Sequence, residues 1–244
     1  MAAALLVAWV ALGVACGQGT KGNVVLQDDF ALDHLDIAKW VHTVANDFQT
    51  EAVDVVDGRL RMAAATIGTD DTTVKYHGVR TLTPLADLER GVEINFDLDW
   101  NKPPNGCYMT AGIYLCPTES QNPEKEKSWL RLEYWGVWPG KNARFIIATK
   151  TNGNLKFLST EDWLRKGPGR NITVPKLRIS LDGSALTVTE DDKRIFETKD
   201  LQLNFKQAYL YLNHSSHSNY PRREVFFDNV AVRQFAATAT PPPK

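Results

Sequence analysis

Hydrophobic and polar residues alternate along much of this chain, most strictly in Gly91-Val-Glu-Ile-Asn-Phe-Asp-Leu-Asp-Trp100. A β-strand sends successive side chains to opposite faces. Val92, Ile94, Phe96 and Leu98 are therefore expected in a core, with Glu93, Asn95, Asp97 and Asp99 outside it. The same period runs through Trp129-Leu-Arg-Leu-Glu-Tyr-Trp-Gly-Val-Trp138, with a different content. There Leu130, Leu132 and Tyr134 share one face, while Trp129, Arg131, Glu133 and Trp135 share the other. An ordinary solvated face carries lysines, threonines and glutamates rather than paired tryptophans.

Further strands are predicted at Val24–Phe30, Gly78–Thr83, Tyr108–Cys116, Ala143–Lys150 and Leu155–Leu158. Others follow at Val174–Leu181, Ala185–Glu190, Lys193–Phe196, Gln207–Asn213 and a closing Val225–Phe235. Val53–Met62 reads as a hairpin turning on Asp57-Gly58, and Asn152-Gly153 marks another two-residue turn. Leu32–Trp40 is a turn or short helix, Pro117–Lys127 a charged loop, Glu161–Arg165 a helical turn and His214–Arg222 a polar loop. About a dozen short strands without a long amphipathic helix predict one antiparallel sandwich or jelly roll.

Composition narrows the class. With 43% hydrophobic and 23% charged residues the chain is globular, and a net charge of −1 offers no basic footprint for nucleic acid. Residues 1–19 are uncharged and largely apolar, as in a secretory leader, leaving a single domain over 20–235 and a disordered tail at 236–244. The leader ends Leu12-Gly-Val-Ala-Cys16, which resembles a lipoprotein box with Cys16 as the lipidated residue. The expected location is secreted, periplasmic or lipid-anchored at the cell surface, with the membrane touched only through that anchor. The expected state is a monomer. Cys107 and Cys116 flank a strand whose ends lie roughly 27–30 Å apart at about 3.3 Å per residue, so they are expected to be unpaired.

The chemistry suggested by the Trp129–Trp135 face is carbohydrate recognition. Sugars have apolar C–H faces, which suit indoles, and a rim of hydroxyls, which suits guanidinium and carboxylate. The alternative is that the tryptophans only pack and that Arg131 and Glu133 form a same-face ion pair. Asn171-Ile-Thr and Asn213-His-Ser match glycosylation acceptors.

Four stretches carry a family resemblance. Leu26-Gln-Asp-Asp-Phe30, Asp36-Ile-Ala-Lys-Trp40, Val55-Val-Asp-Gly-Arg-Leu60 and Phe226-Phe-Asp-Asn-Val-Ala-Val232 resemble the concanavalin-A-like lectin/glucanase superfamily. The resemblance implies an all-β jelly-roll sandwich of two bent antiparallel sheets, the concave face of one binding or cutting a poly- or oligosaccharide. It also implies a structural calcium near the first and last strands, with Asp29 and Asp228 as metal candidates. Periodicity then nominates Asn95, Asp97, Tyr114, Trp129, Trp135, Tyr209 and Asn213 for the substrate face, with Arg80 at a strand entrance. Glu133, Arg131, His77 and Tyr211 are the candidate catalytic groups.

Three functions fit that set. Hydrolysis needs two carboxylates, about 5–5.5 Å apart for retention or about 6.5–9.5 Å for inversion. The Glu-x-Asp-x-x-Glu string of laminarinase-type members is absent, leaving Glu133 with Asp97 on an adjacent strand as the pair to test. β-Elimination on a uronate would use Tyr211 and His77 as acid and base, with Arg80, Arg131 and Asn213 neutralising the carboxylate; the Arg-x-Glu-x-Arg string of alginate lyases is likewise not intact. Binding without chemistry needs only the aromatic face and its donors. A structural surface lipoprotein is the reading outside carbohydrate chemistry.

Overall fold

The computed structural model describes residues 22–44, 50–64, 75–85, 87–99, 109–135, 144–159, 174–216 and 223–235. The leader with Cys16, Cys107, the Glu161–Arg165 turn, Asn171, His217 and the tail lie outside them. The strands in chain order begin with β1 (Asn23–Asp28), β2 (Trp40–Val44), β3 (Thr50–Val56), β4 (Arg59–Ala64) and β5 (Lys75–Thr81). They continue with β6 (Val92–Asp99), β7 (Met109–Cys116), β8 (Trp129–Trp135), β9 (Arg144–Thr151) and β10 (Asn154–Phe157). The last are β11 (Lys176–Asp182), β12 (Ala185–Glu190), β13 (Lys193–Thr198), β14 (Tyr209–Ser216) and β15 (Arg223–Gln234).

Turn chemistry explains the hairpins. Asp57 and Gly58 sit at φ 52° and 69°, Asn152 and Gly153 at 52° and 87°. Positive φ at both central residues matches the right-handed twist of the flanking strands, and Asp, Asn and Gly reach it at least cost. The expected Asp57-Gly58 and Asn152-Gly153 hairpins are both present.

The strands form two antiparallel sheets. The first runs β13-β12-β11-β6-β15-β4-β3, with β1 also on β15; the second runs β10-β9-β8-β7-β14-β5-β2. Val225–Phe235 was expected to close a sheet, yet β15 lies inside one, between β6 and the pair β4 and β1. Its length permits this. Arg223–Phe227 pairs with β4, Val230–Gln234 pairs with β1, and a bulge at Asn229 (φ 51°) divides the two halves.

The two sheets meet over one core. Val92, Ile94, Phe96 and Leu98 of β6 are buried in it together with Leu130, Leu132 and Tyr134 of β8, so the periodicity reading holds on both strands. Burial of such aliphatic side chains is the dominant favourable term, roughly 1.5–3 kcal/mol each. The opposite face of β8 is also buried. Trp129 packs there with Tyr76, Tyr114, Cys116, Ile146, Ala148 and Tyr211 in a second cluster, against which Trp135 and Tyr209 rest. Cys116 is unpaired and buried, and its Sγ lies 3.6 Å from the Ser128 carbonyl oxygen.

The expected polar loop at His214–Arg222 is corrected at its start. β14 continues to Ser216, and His214 falls on the face of Leu210 and Leu212, fully buried. Its ring lies 5.1 Å from that of His77, and its Nδ1 is 2.9 Å from the Thr110 carbonyl oxygen. Asn213, matched above to a glycosylation acceptor, is buried mid-strand and closed to glycosylation.

Candidate functional site

Strand register assembles the outer face of the second sheet row by row. One row crosses the sheet as Arg80, Tyr211, Tyr114, Arg131 and Ala148. The next runs Gly78, Asn213, Gly112, Glu133 and Ile146. A third runs Tyr76, Ser215, Thr110 and Trp135. Nine of the nominated residues thus share one face: Arg80, Tyr114, Trp129, Arg131, Glu133, Trp135, Tyr209, Tyr211 and Asn213.

Three nominated residues are elsewhere, and the reasons are geometric. His77 is two residues from the core residue Val79, so it points between the sheets, on the opposite side from Arg131 and Glu133. Asn95 and Asp97 belong to β6 in the first sheet, where Asn95 donates to Glu93 and Asp97 accepts from Asn229. The expected Glu133–Asp97 carboxylate pair on adjacent strands is therefore corrected: the two residues lie in different sheets. Tyr211 reaches the face, but its hydroxyl is engaged, donating to the Thr118 carbonyl at 2.8 Å and accepting from Ser120 N–H at 2.9 Å.

Charge is concentrated around Arg131. Its Nη1 is 3.1 Å from Glu124 Oε2 and its Nε 3.7 Å from Glu133 Oε2. The Tyr114 hydroxyl donates to Glu124 at 2.9 Å, and Trp135 Nε1 donates to Glu133 Oε2 at 3.1 Å. The guanidinium also stacks near the rings of Trp129 and Trp135, at 4.9 and 5.6 Å. Burial raises the pKa of Glu133, opposed by the charge of Arg131. Burial likewise raises the hydroxyl pKa values of Tyr76 and Tyr114, with the Glu133 charge adding to it.

Four buried atoms on this face have no hydrogen-bond partner among the described residues: Arg80 Nε, Arg131 Nε, Glu133 Oε1 and Asn213 Nδ2. Glu133 and Asn213 occupy neighbouring positions of one row, separated only by Gly112. A Cβ at Gly112 would meet the Leu132 carbonyl oxygen at 2.1 Å, so the strands close in here only because the side chain is missing. An acceptor and a donor are thus left unpaired on either side of a glycine, both shielded from solvent, and each such group costs roughly 1–3 kcal/mol.

Sequence periodicity could not find Glu119 and Glu124, because both sit in the Pro117–Ser128 strap between β7 and β8. Asn122 caps a short 3-10 turn at Pro123–Lys125, which points Glu124 back at the sheet. The available signal was an acid-rich loop beside a face carrying two arginines. Phe157, half-exposed on the edge strand β10, was also missed; Arg131 lies 6.0 Å from its ring.

The metal candidates are on the first sheet. Asp29 follows β1 and is exposed, while neighbouring Asp28 is buried and accepts from Trp40 Nε1 at 2.7 Å. Burial raises the pKa of Asp228, and the charges of Asp97 and Asp29 add to it. Among the described residues no three His, Cys, Asp or Glu side chains stand close enough to hold a metal ion.

With this geometry in place the known structures are informative. The chain superposes on an endo-acting O-glycanase of the human gut microbiota, described as initiating mucin breakdown, with a TM-score of 0.61 at 17% identity. That match covers 88% of this chain and 100% of the other. LamA from Z. galactanivorans, solved with laminaritriose and laminaritetraose, gives 0.61 at 16% identity over 88% and 100%. The endo-β-1,3-glucanase from Pyrococcus furiosus gives 0.59 at 13% identity over 91% and 97%. This is the concanavalin-A-like jelly-roll fold. No protein-family model and no curated protein matches the sequence. Identities this low establish the architecture and leave the activity to the site itself.

Proposed function

We propose that this protein binds a poly- or oligosaccharide on the outer face of its second sheet, with Glu133 and Asn213 as the hydrogen-bonding floor. The observation that carries the reading is the pair of buried open atoms, Glu133 Oε1 and Asn213 Nδ2, across Gly112. Trp135 Nε1 holds the Glu133 carboxyl, with the Arg131 guanidinium 3.7 Å from it, the Trp135 ring adds an apolar surface, and Phe157 and Tyr209 supply further accessible rings at the margins. The fold shared with glycan-cleaving enzymes supports a glycan as the ligand class.

A second reading, hydrolysis, is favoured by one observation. The raised pKa of Glu133 suits a general acid, and the Glu124 carboxylate stands on the other side of the same guanidinium. β-Elimination has less support: His77 faces the core, and Arg131 already holds the carboxylates of Glu124 and Glu133.

The test is a polysaccharide panel incubated with wild type and Glu133→Gln, read for retention, reducing ends and unsaturated-uronate absorbance. Retention of a glycan without new ends supports binding. Reducing ends that vanish in the variant transfer the reading to hydrolysis, and an absorbance rise transfers it to elimination. No retention and no product contradicts all three. Export belongs to the same proposal and rests on the residue pattern of 1–19; mass spectrometry of the mature protein, with Cys16→Ser beside wild type, tests cleavage and lipidation.

A further inference from the structure

The strap Pro117–Ser128 is tied to the face by polar side chains of the sheet. At one end Arg80 donates from Nη2 to Glu119 Oε2 at 2.7 Å, and the Tyr209 hydroxyl donates to the other oxygen, Oε1, at 2.9 Å. One carboxylate is thus gripped by a guanidinium and a phenol, each taking one oxygen. Both gripping groups come from the sheet, on β5 and β14, and the carboxylate comes from the loop.

The two sides of this contact differ in rigidity. The Arg80 side chain is only 9% exposed, its Nη1 is fixed on the Thr81 carbonyl at 2.9 Å, and its guanidinium lies 5.0 Å from the Tyr209 ring. Its Nε is buried and has no hydrogen-bond partner among the described residues. Glu119, by contrast, is 58% exposed. An ion pair with one partner so exposed is weak. A preorganised receptor with a spare donor therefore holds a loosely kept occupant.

We propose that Arg80 and Tyr209 form an anion subsite for a carboxylate or sulfate group on the glycan, and that Glu119 is the internal occupant it displaces. The inference rests on the glycan reading above and adds the substrate class, a saccharide bearing acidic groups. A ligand oxygen taking the place of Glu119 Oε2 keeps the Arg80 contact and brings an acceptor within reach of the open Nε. Arg131 is a poorer place for such an exchange, because its carboxylates Glu124 and Glu133 are both more deeply set.

The experiment is titration calorimetry with three oligosaccharides of matched length: one neutral, one uronate-containing and one sulfated. Wild type, Glu119→Gln, Arg80→Gln and Tyr209→Phe are compared, with melting temperatures confirming folding. Glu119→Gln is expected to raise the ratio of anionic to neutral affinity about two- to fivefold, the range that loss of an exposed ion pair allows. Tyr209→Phe and Arg80→Gln lower that ratio, and the uronate and sulfate arms show which anion the subsite takes. An unchanged ratio in Glu119→Gln overturns the inference. Neutral binding with no anionic binding overturns it while leaving the glycan reading intact, and no binding of any oligosaccharide overturns both.

Discussion

The outer faces of the two sheets carry similar residue types in opposite physical states. On the first sheet, Arg61 holds Asp54 at 2.7 Å and Glu224 at 3.4 Å, and Arg59 holds Asp99 at 3.1 Å over the Phe226 ring. These groups are partly exposed, so whatever the pairs leave over is within reach of solvent. On the second sheet Arg131, Glu133, Tyr114 and Trp129 are buried, and the face still contains open donor and acceptor atoms. Arginine, carboxylate and aromatic on one face are thus not themselves a site. Burial without full satisfaction is the distinguishing feature, because it is a cost that folding alone does not require.

The largest expected effect separates the two faces directly. Arg131→Met leaves the fully buried Glu133, and the partly buried Glu124, without their counter-charge and is expected to cost about 3–5 kcal/mol in chemical denaturation. Arg61→Met, in the exposed network, is expected to cost about 1 kcal/mol or less. Equal losses would erase the distinction.

Next in size is a pH effect from the inward face of the same sheet. Burial lowers the pKa of His77 well below 6.5 and that of His214 to about 4. The folded state prefers both rings neutral, so this contribution is fully present above pH 6.5. It is lost as pH falls from 6.5 toward the depressed folded values, at up to about 1.4 kcal/mol per pH unit for each histidine. Denaturation from pH 8 to pH 4 checks the slope, and His214→Leu is expected to remove about half of it.

The smallest effect concerns Glu133. Its folded pKa is raised from 4.5, so ionisation opposes folding as pH rises from 4.5 through the folded value. Glu133→Gln is therefore expected to gain stability relative to wild type on going from pH 4 to pH 7. A constant difference between the two proteins would show that Glu133 is better solvated than its surroundings imply.

Much of the fold was legible because alternation reports directly which side of a strand meets a core. The β6 pattern and the two-residue turns at Asp57-Gly58 and Asn152-Gly153 needed no tertiary information. Alternation does not say which sheet a strand joins, so Asn95 and Asp97 were grouped with Glu133 although β6 lies across the core. Nor does it show polarity turned inward. His214 was read as solvated because its neighbours Ser215 and Ser216 are polar, while packing against Leu212 and His77 decided its place. At the site, Arg131, Glu133 and Trp135 were visible as a face, but the carboxylates that restrain the arginines come from an aperiodic strap whose direction depends on the Asn122–Pro123 turn.

The most direct measurement of the central claim is glycan retention by wild type, Asn213→Ala with Trp135→Ala, and Asp97→Asn, using affinity electrophoresis in gels containing each polysaccharide of the panel. The account predicts that one polysaccharide slows wild type and Asp97→Asn alike, and that the second-sheet variant runs unretarded while keeping its melting transition. Retardation that survives in the folded second-sheet variant but is lost in Asp97→Asn would contradict it.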